Sequence, residues 1–405
     1  MCRIYAINPQ IHYKGERKLS SDTLIIGGGP SGLTAGCCLA ERGQSVRIIR
    51  KHPLLTSQSR ATVLWPKALE VLDPFGIVDK LRPLGDVINS LSYYSDGRQI
   101  GTLSTRLLEG TRFNYALGIS QHNVETALTE VFTARGGVIE DAEVTDLTQD
   151  EGSVLLTIRS FDGTVRQERA EHCVVADGAR SLGREKLGLR MEDLRDTVEF
   201  QIADVRAEGL PRDEAFYWWS RHGAMAVAPH DKTTFRLAYP AVKGTPAPDT
   251  VSTQYLESLL DQRGPSNPGR HVTQLITAAN FVARFAVVDQ FAKGRCYLAG
   301  DAAHVMAPTG AQNMNAGMLD AVCASRFIMG DIEPVDSGTP LAQLYDKMRR
   351  ASIDKVFDTA LGHARDGAAM TPESIAERDA RYALLENTDA ARARLTRMSQ
   401  LDIEA

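Results

Sequence analysis

The chain has 405 residues, enough for two to three domains at roughly 150 residues each, and its 43% hydrophobic and 24% charged content is that of an ordinary globular protein. The 46 basic and 51 acidic residues leave a net charge of −5, which exerts no global pull toward nucleic acid or an acidic membrane surface. No apolar run approaches the length needed to span a bilayer, so no integral membrane segment is expected.

Residues 1–20 carry Arg3, Lys14, Glu16, Arg17 and Lys18 and no apolar core, so no secretory signal is expected. The apolar run Leu24, Ile25, Ile26, stopping at three glycines, predicts a strand over Ser21–Gly28. Small residues from Ser31 to Arg42 predict a helix ending near Gly43, and Val46–Ile49 predicts a second strand. Together they make a βαβ unit, which requires a parallel sheet. Trp65–Leu81 is expected to be mostly helical, started by Pro66 and broken at Pro74. Val124, Ala127, Leu128 and Val131 predict a helix over Asn123–Arg135, capped by Asn123. Alternation at Val154, Leu156 and Ile158, with a turn at Asp162-Gly163, predicts an antiparallel meander that rejoins the parallel sheet at Cys173-Val174-Val175. Strand patterns over Phe200–Val205, Phe216–Ser220, Ala224–Ala228 and Thr234–Tyr239 predict a second sheet with one face toward a cavity. Gly244–Asp249 reads as a loop, Arg295–Ala299 as a short buried strand, and Asn313 as the start of a helix. Leu341–Ala360 and Pro372–Met398 predict two long charged helices.

The six cysteines form no C-x-x-C pair, which argues against a disulfide framework or a zinc site and fits a reducing cytoplasm; no metal site is expected. The first constellation with chemistry is Gly27-x-Gly29-x-x-Gly32, between the first strand and the first helix. Glycines there permit a tight turn, approach of a pyrophosphate and close helix–strand packing, and the helix start presents N–H groups to phosphate. The acid that would bind a ribose about 20 residues later is missing: Gln44 to Leu69 holds no Asp or Glu, and the second strand ends in Arg50 and Lys51. Arg50 is then either a cation facing a 2′-phosphate or a residue pointing to solvent. The second constellation is Gly300-Asp301-Ala302-Ala303-His304, followed by Pro308-Thr309-Gly310-Ala311-Gln312-Asn313-Met314-Asn315. A carboxylate past a strand can hold hydroxyls of an extended ligand, and a turn feeding a helix offers a positive dipole end.

At these residues the chain resembles the FAD-dependent aromatic hydroxylases of the para-hydroxybenzoate hydroxylase type, the class A flavoprotein monooxygenases. Three motifs match in order: Gly27 to Gly32, Asp177-Gly178-Ala179-Arg180-Ser181, and Gly300-Asp301. Arg60-Ala61 with Leu64 resembles the family's arginine segment, and Gln121 its flavin-contacting glutamine. The resemblance runs from about Asp22 to Arg350. It implies that Gly27, Gly29 and Gly32 approach the FAD pyrophosphate and that Asp301 binds the ribityl chain. Arg60 and Gln121 would contact the diphosphate and ribityl region, and Asp177 would support the cofactor. Gly310 with backbone groups at Met314 and Asn315 would face the flavin pyrimidine edge, and Pro308 would lie beside the reacting carbon. The departures are Arg50 for the ribose-binding acid, Val175 for a glycine, Asn313 for a glycine, and Ser352 where the Tyr345–Ala351 stretch is usually followed by proline.

The resemblance implies an α/β fold: a Rossmann-like FAD-binding domain (21–90, 112–190 and 290–335) interleaved with a β-sheet substrate domain (91–111 and 191–289), plus C-terminal helices (336–405). It implies an NAD(P)H-consuming monooxygenase that hydroxylates an aromatic or polycyclic small molecule with O₂ through a flavin C4a-hydroperoxide. The expected partners are that substrate and O₂, with no nucleic acid and with a homodimer as an option. Tyr217, His222 and Pro308 are the catalytic candidates; Trp218, Trp219 and His230 are the substrate candidates, with core packing or turn roles as their alternatives. His304 is either near the flavin or a satisfied structural histidine, and Arg392 and Arg394 are expected on a solvated face. A same-fold reductase, epoxidase or halogenase stays open, as does a cofactor-free binding protein of flavoprotein fold.

Overall fold

The computed structural model describes residues 21–51, 63–195, 197–241, 250–333 and 339–405. The chain opens with β1 (Ser21–Ile26), α1 (Pro30–Glu41) and β2 (Val46–Arg50), followed by the hairpin β3 (Ser90–Ser95) and β4 (Arg98–Ser104). Then come α2 (Gln121–Ala134), β5 (Val138–Gln149), β6 (Val154–Ser160) and β7 (Val165–Val175). The middle of the chain supplies β8 (Val198–Glu208), β9 (Glu214–Ser220), β10 (Gly223–Pro229), β11 (Phe235–Pro240), α3 (Thr253–Arg263) and β12 (His271–Ala283). The rest is β13 (Ala292–Lys293), β14 (Cys296–Leu298), α4 (Asn313–Ile328), α5 (Leu341–Gly367), α6 (Pro372–Ala383) and α7 (Thr388–Met398).

Two seven-stranded sheets organise these elements. In the first, β5, β2, β1, β7 and β14 run parallel in that spatial order. β5 and β7 are long: one half of each belongs to the parallel set, and the other half sandwiches β6 in an antiparallel meander. Apolar residues on both faces of β1, with Leu24 and Ile25 at 0% exposure, mark it as a strand covered by helices on both sides. α1 lies against α2 and α4 and can do so because it is built of small residues. A Cβ at Gly36 would already sit 3.0 Å from Phe132. The second sheet runs β12–β8–β11–β10–β9–β3–β4 and is antiparallel except for β9 beside β3. α3 covers one face of it, and the other looks toward the first sheet across the cavity described below.

Several boundaries differ from the sequence expectation for physical reasons. The cap of α2 is Ser120, whose hydroxyl accepts from Asn123 N–H, so the helix starts at Gln121 rather than Asn123. Pro74 sits in a single 3₁₀ turn, Asp73–Phe75, between helices Pro66–Leu72 and Ile77–Leu81. The expected last helix is two, because Asn387 takes an extended conformation and caps α7 through Asp389 and Ala390 N–H. α5 continues to Gly367 instead of ending at Ala360, and the Ser352 hydroxyl within it donates back to Met348 O. The expectation of a loop at Gly244–Asp249 and the first twenty residues lie outside the described residues. β12 shows no clean alternation because it is an edge strand exposed along most of its length.

Candidate flavin and substrate site

A cavity of about 1010 Å³ lies between the two sheets. Its first-sheet end begins at the turn after β1. Gly27 has φ 107°, and a Cβ there would fall 2.1 Å from Ala176 O. A Cβ on Gly29 would meet nothing within 4 Å, so the turn faces open space at the start of α1. That start has no side-chain cap and no acid in its first turn, which leaves its N–H groups and positive dipole end directed at the cavity. Gly32 does not line the cavity. A Cβ there would stand 2.0 Å from Gly27 O, so its part is to let α1 close on the β1 turn.

Arg50 lines the cavity rather than pointing to solvent: its Nε pairs with Asp141 and its stem packs on Gly28. β2 and β5 set this up by placing Arg50 beside Asp141 in parallel register. Glu143 on β5 also lines the cavity, and Lys51 and Arg159 hold it ionised, with a pKa lowered to about 2. Asp177 follows β7. Its Oδ2 accepts from Gly183 N–H at 2.9 Å, while its Oδ1 is buried without a partner. Burial pushes its carboxyl above the usual range, against the bonds that favour its charge. Val175 occupies the family's glycine position without clash because Gly183 faces it; a Cβ on Gly183 would be 2.6 Å from Val175. Gln121 lines the cavity from the first turn of α2 and donates to Glu125 Oε1 at 2.7 Å. Arg60 lies outside the described residues.

Asp301 is the outer end of a buried chain that the sequence reading missed. Asn313 Nδ2 donates to Asp301 Oδ1 at 2.7 Å, and Asn313 Oδ1 lies 2.8 Å from His304 Nδ1. His304 Nε2 lies 2.6 Å from Asp320 Oδ2, and Arg349 Nε donates to Asp320 Oδ1 at 2.8 Å. Gly300 N–H also donates to Asp320. His304 is fully buried; burial opposes its charge, but Asp320 and the bonds to Asp320 and Asn313 outweigh it and raise its pKa. The histidine in the second motif is thus neither isolated nor in the cavity: it fixes the orientation of the Asn313 amide, which in turn holds Asp301.

The loop before α4 is tied down from outside. Trp65 Nε1 and Gln312 Nε2 donate to Gly310 O, at 3.0 and 2.9 Å. Asn315 accepts from Trp65 N–H and donates to Val63 O and Ala311 O, so its side chain braces the loop and does not line the cavity. Ala311 is held at φ 52°, an unfavourable backbone for a residue with a Cβ. Pro308, Gly310 and Met314 line the cavity.

At the second-sheet end, Tyr217 lines the cavity, stacked on Tyr93 and on His363 of α5. Trp218 and Trp219 do not, and this corrects the substrate expectation. Strand alternation sends Trp218 to the opposite face, over Gly264 and under the Arg270 guanidinium. Trp219 lies one step further along β9, against Tyr382 and the Arg378 guanidinium. His222 is an exposed residue of the β9–β10 turn and does not line the cavity, which corrects the catalytic expectation. His230 is buried behind the cavity wall with its Nε2 3.7 Å from Asp204; burial and the Arg236 charge lower its pKa to about 4. Arg394 is not on a solvated face: its guanidinium lies 4.3 Å from the Tyr382 ring centre. Among the described residues no cluster of His, Cys, Asp or Glu could hold a metal ion, and no helix is long and apolar enough to cross a membrane.

Residues 20–360 match the family model described as FAD binding domain. The chain belongs to this FAD-binding family. It is 32% identical over 304 residues to 6-methylpretetramide 4-monooxygenase of Streptomyces rimosus, covering 74% of this chain and 54% of that one. It is 29% identical over 310 residues to rifampicin monooxygenase of Streptomyces venezuelae, covering 74% of this chain and 62% of that one. The chain thus spans a little over half of these relatives' length. The crystal structure of p-nitrophenol 4-monooxygenase from Pseudomonas putida superposes with a TM-score of 0.81 at 22% identity, covering 95% of this chain and 98% of that one.

The residues of this FAD-binding family member fit FAD. Gly29 leaves room for a pyrophosphate at an uncapped helix start, and Asp177, whose buried Oδ1 has no partner, lines the same cavity. Asp301 at the cavity wall can accept from hydroxyl groups. Arg50→Glu is expected to weaken FAD binding, because the new carboxylate would stand beside Asp141 and repel it. Titration of the apoprotein with FAD checks this; tighter binding in the variant would show that the site lacks only its ribose acid.

Proposed function

We propose that the chain is an FAD-dependent, NAD(P)H-consuming monooxygenase that hydroxylates an aromatic or polycyclic small molecule with O₂. The observation that carries this reading is continuity: one cavity joins the Gly29 turn and Asp301 to the floor of the second sheet, with Pro308 and Gly310 between them. Bound FAD supplies the redox and oxygen-transfer chemistry. The chain's own residues do the positioning. The α1 start would hold phosphate, Asp301 with Asn313 behind it would hold hydroxyls, and the loop at Pro308 to Met314 would offer a helix start to an anionic group of the cofactor. The second sheet excludes water with an apolar floor, and there Tyr217 offers the one phenol that lines the cavity among the described residues. Burial raises the Tyr217 pKa, so at neutral pH it is a donor, able to orient an oxygen of the substrate. The division of the chain into an FAD-binding part interrupted by a substrate sheet belongs to the same reading.

The relatives' names support the activity, since one is a monooxygenase of 6-methylpretetramide and the other of rifampicin. The test is NADH and NADPH oxidation by the FAD-loaded protein across phenols and fused-ring aromatics, with product masses. The expected result is NAD(P)H consumption stimulated by at least one aromatic compound, with a product heavier by one oxygen atom. Consumption that yields only hydrogen peroxide with every compound would contradict the reading.

A further inference from the structure

The floor of the second-sheet end is a single transverse row. Ala279 of β12 is in register with Ile202 of β8, Ile202 with Ala238 of β11, Ala238 with Ala226 of β10, and Ala226 with Tyr217 of β9. All five residues line the cavity. Residues in register across a sheet project to one face, and neighbouring strands lie about 4.8 Å apart. From Ala279 to Ala226 the row therefore runs about 14 Å across four strands. Three of its four positions over that width are alanine. A methyl group stands barely above the backbone, so the row forms a long, low shelf with a single ridge at Ile202. The fourth, Ile202, is 8% exposed and is the one longer aliphatic side chain in that width. Tyr217 closes one end of the shelf, with Tyr93 and His363 packed behind it.

The charge on this floor is also settled by register. Arg236 is in register with both Asp204 and Ala228, one side-chain step from the alanine row. Among the described residues of the second sheet that line the cavity, Arg236 is the only charged one. Its Nε and Nη2 donate to the two oxygens of Asp204 at 2.8 and 3.0 Å, and both side chains are buried. His230, beside Asp204, is held neutral by burial. The floor therefore adds no net charge. A carboxylate laid on it would lose its hydration without gaining a cation that is not already neutralised. A single ring would leave most of the shelf uncovered.

We propose that the occupant of this shelf is a flat aromatic of three or more fused rings, uncharged across its ring system, lying with its plane against the alanine row. This rests on the monooxygenase reading above and narrows it from aromatic compounds in general to one class.

The experiment uses the FAD-loaded protein and follows the change in flavin absorbance on titration with three probes: a neutral dihydroxyanthraquinone, 4-nitrophenol and 3-hydroxybenzoate. The three-ring probe is expected to bind at least about tenfold more tightly than either single-ring probe, from the added apolar surface it buries. Ala226→Phe and, separately, Ala279→Phe put a ring on the shelf. Each is expected to weaken the three-ring probe at least about tenfold while changing 4-nitrophenol less than about twofold and leaving FAD content unchanged. Ala279 is on the exposed edge strand and tolerates the larger side chain if Ala226 does not. Equal or tighter binding of a single-ring probe, or indifference of the three-ring probe to both substitutions, overturns the proposal. If the protein carries FAD and hydroxylates 4-nitrophenol in preference, this inference alone falls and the monooxygenase reading stands. If the protein takes up no FAD, both fall.

Discussion

Replacing Asp320 with alanine is expected to lower stability by about 3–5 kcal/mol. Asp320 and His304 have fully buried side chains and Arg349 is 1% exposed, so none of the three can be rescued by water. Asp320 accepts from Arg349, from Gly300 N–H and from His304, and its removal strands a buried guanidinium and a buried imidazolium together. Arg349 has a second anchor on Glu404 O, but no other carboxylate within ion-pair distance among the described residues. The pH dependence follows from the same contacts. The fold favours charged His304, so that contribution is complete below about pH 6.5 and is lost as pH rises through the higher folded pKa. Burial opposes the Asp320 charge, yet His304 and Arg349 outweigh it and lower its pKa, so its contribution is complete above about pH 3.9 and is lost as pH falls. Both are complete between about pH 4 and 6.5. Urea unfolding of the FAD-loaded protein across pH measures this. A loss under about 1 kcal/mol in Asp320→Ala, with an unchanged pH profile, would show that the network does not hold the α4–α5 packing.

Asp301→Ala is the second large effect, and it is expected in the cofactor rather than in the fold. A charge-assisted hydrogen bond is worth about 1.5–3 kcal/mol, so FAD affinity should fall about 10- to 100-fold. The residue is exposed to the cavity, which makes its removal tolerable for stability. Asn313→Gly should weaken FAD binding by less than Asp301→Ala, since it frees the carboxylate without deleting it. FAD titration of folded apoprotein checks both. Unchanged affinity in Asp301→Ala would remove Asp301 from the site.

The βαβ start of the chain was legible because its signals are local: an apolar run, three glycines and a small-residue helix within thirty residues. The meander was legible for the same reason, through its alternation and its Asp162-Gly163 turn. The Asp301–Asn313–His304–Asp320–Arg349 chain was not, because its members come from the β14 end, α4 and α5, and only tertiary packing brings them together. The aromatic strand misled in a specific way. Four consecutive aromatic or apolar residues, Phe216 to Trp219, have no period to show which face is wet, and the structure sends Tyr217 to the cavity and Trp218 to α3. The alanine row escaped notice because alanines on separate strands carry no signal until register aligns them. Arg394 was read as solvated because charge on a helix is normally so, whereas here aromatic rings and Asp366 surround it.

If this cavity holds FAD and uses it to place one atom of molecular oxygen on an aromatic substrate, that atom can be traced by isotope. The most direct measurement is turnover of the FAD-loaded protein with NAD(P)H and a fused-ring aromatic under ¹⁸O₂, with mass spectrometry of the product. One labelled oxygen is expected in the product, with none arriving when the label is in water instead. A product labelled from water, or unlabelled from both, would contradict the monooxygenase reading.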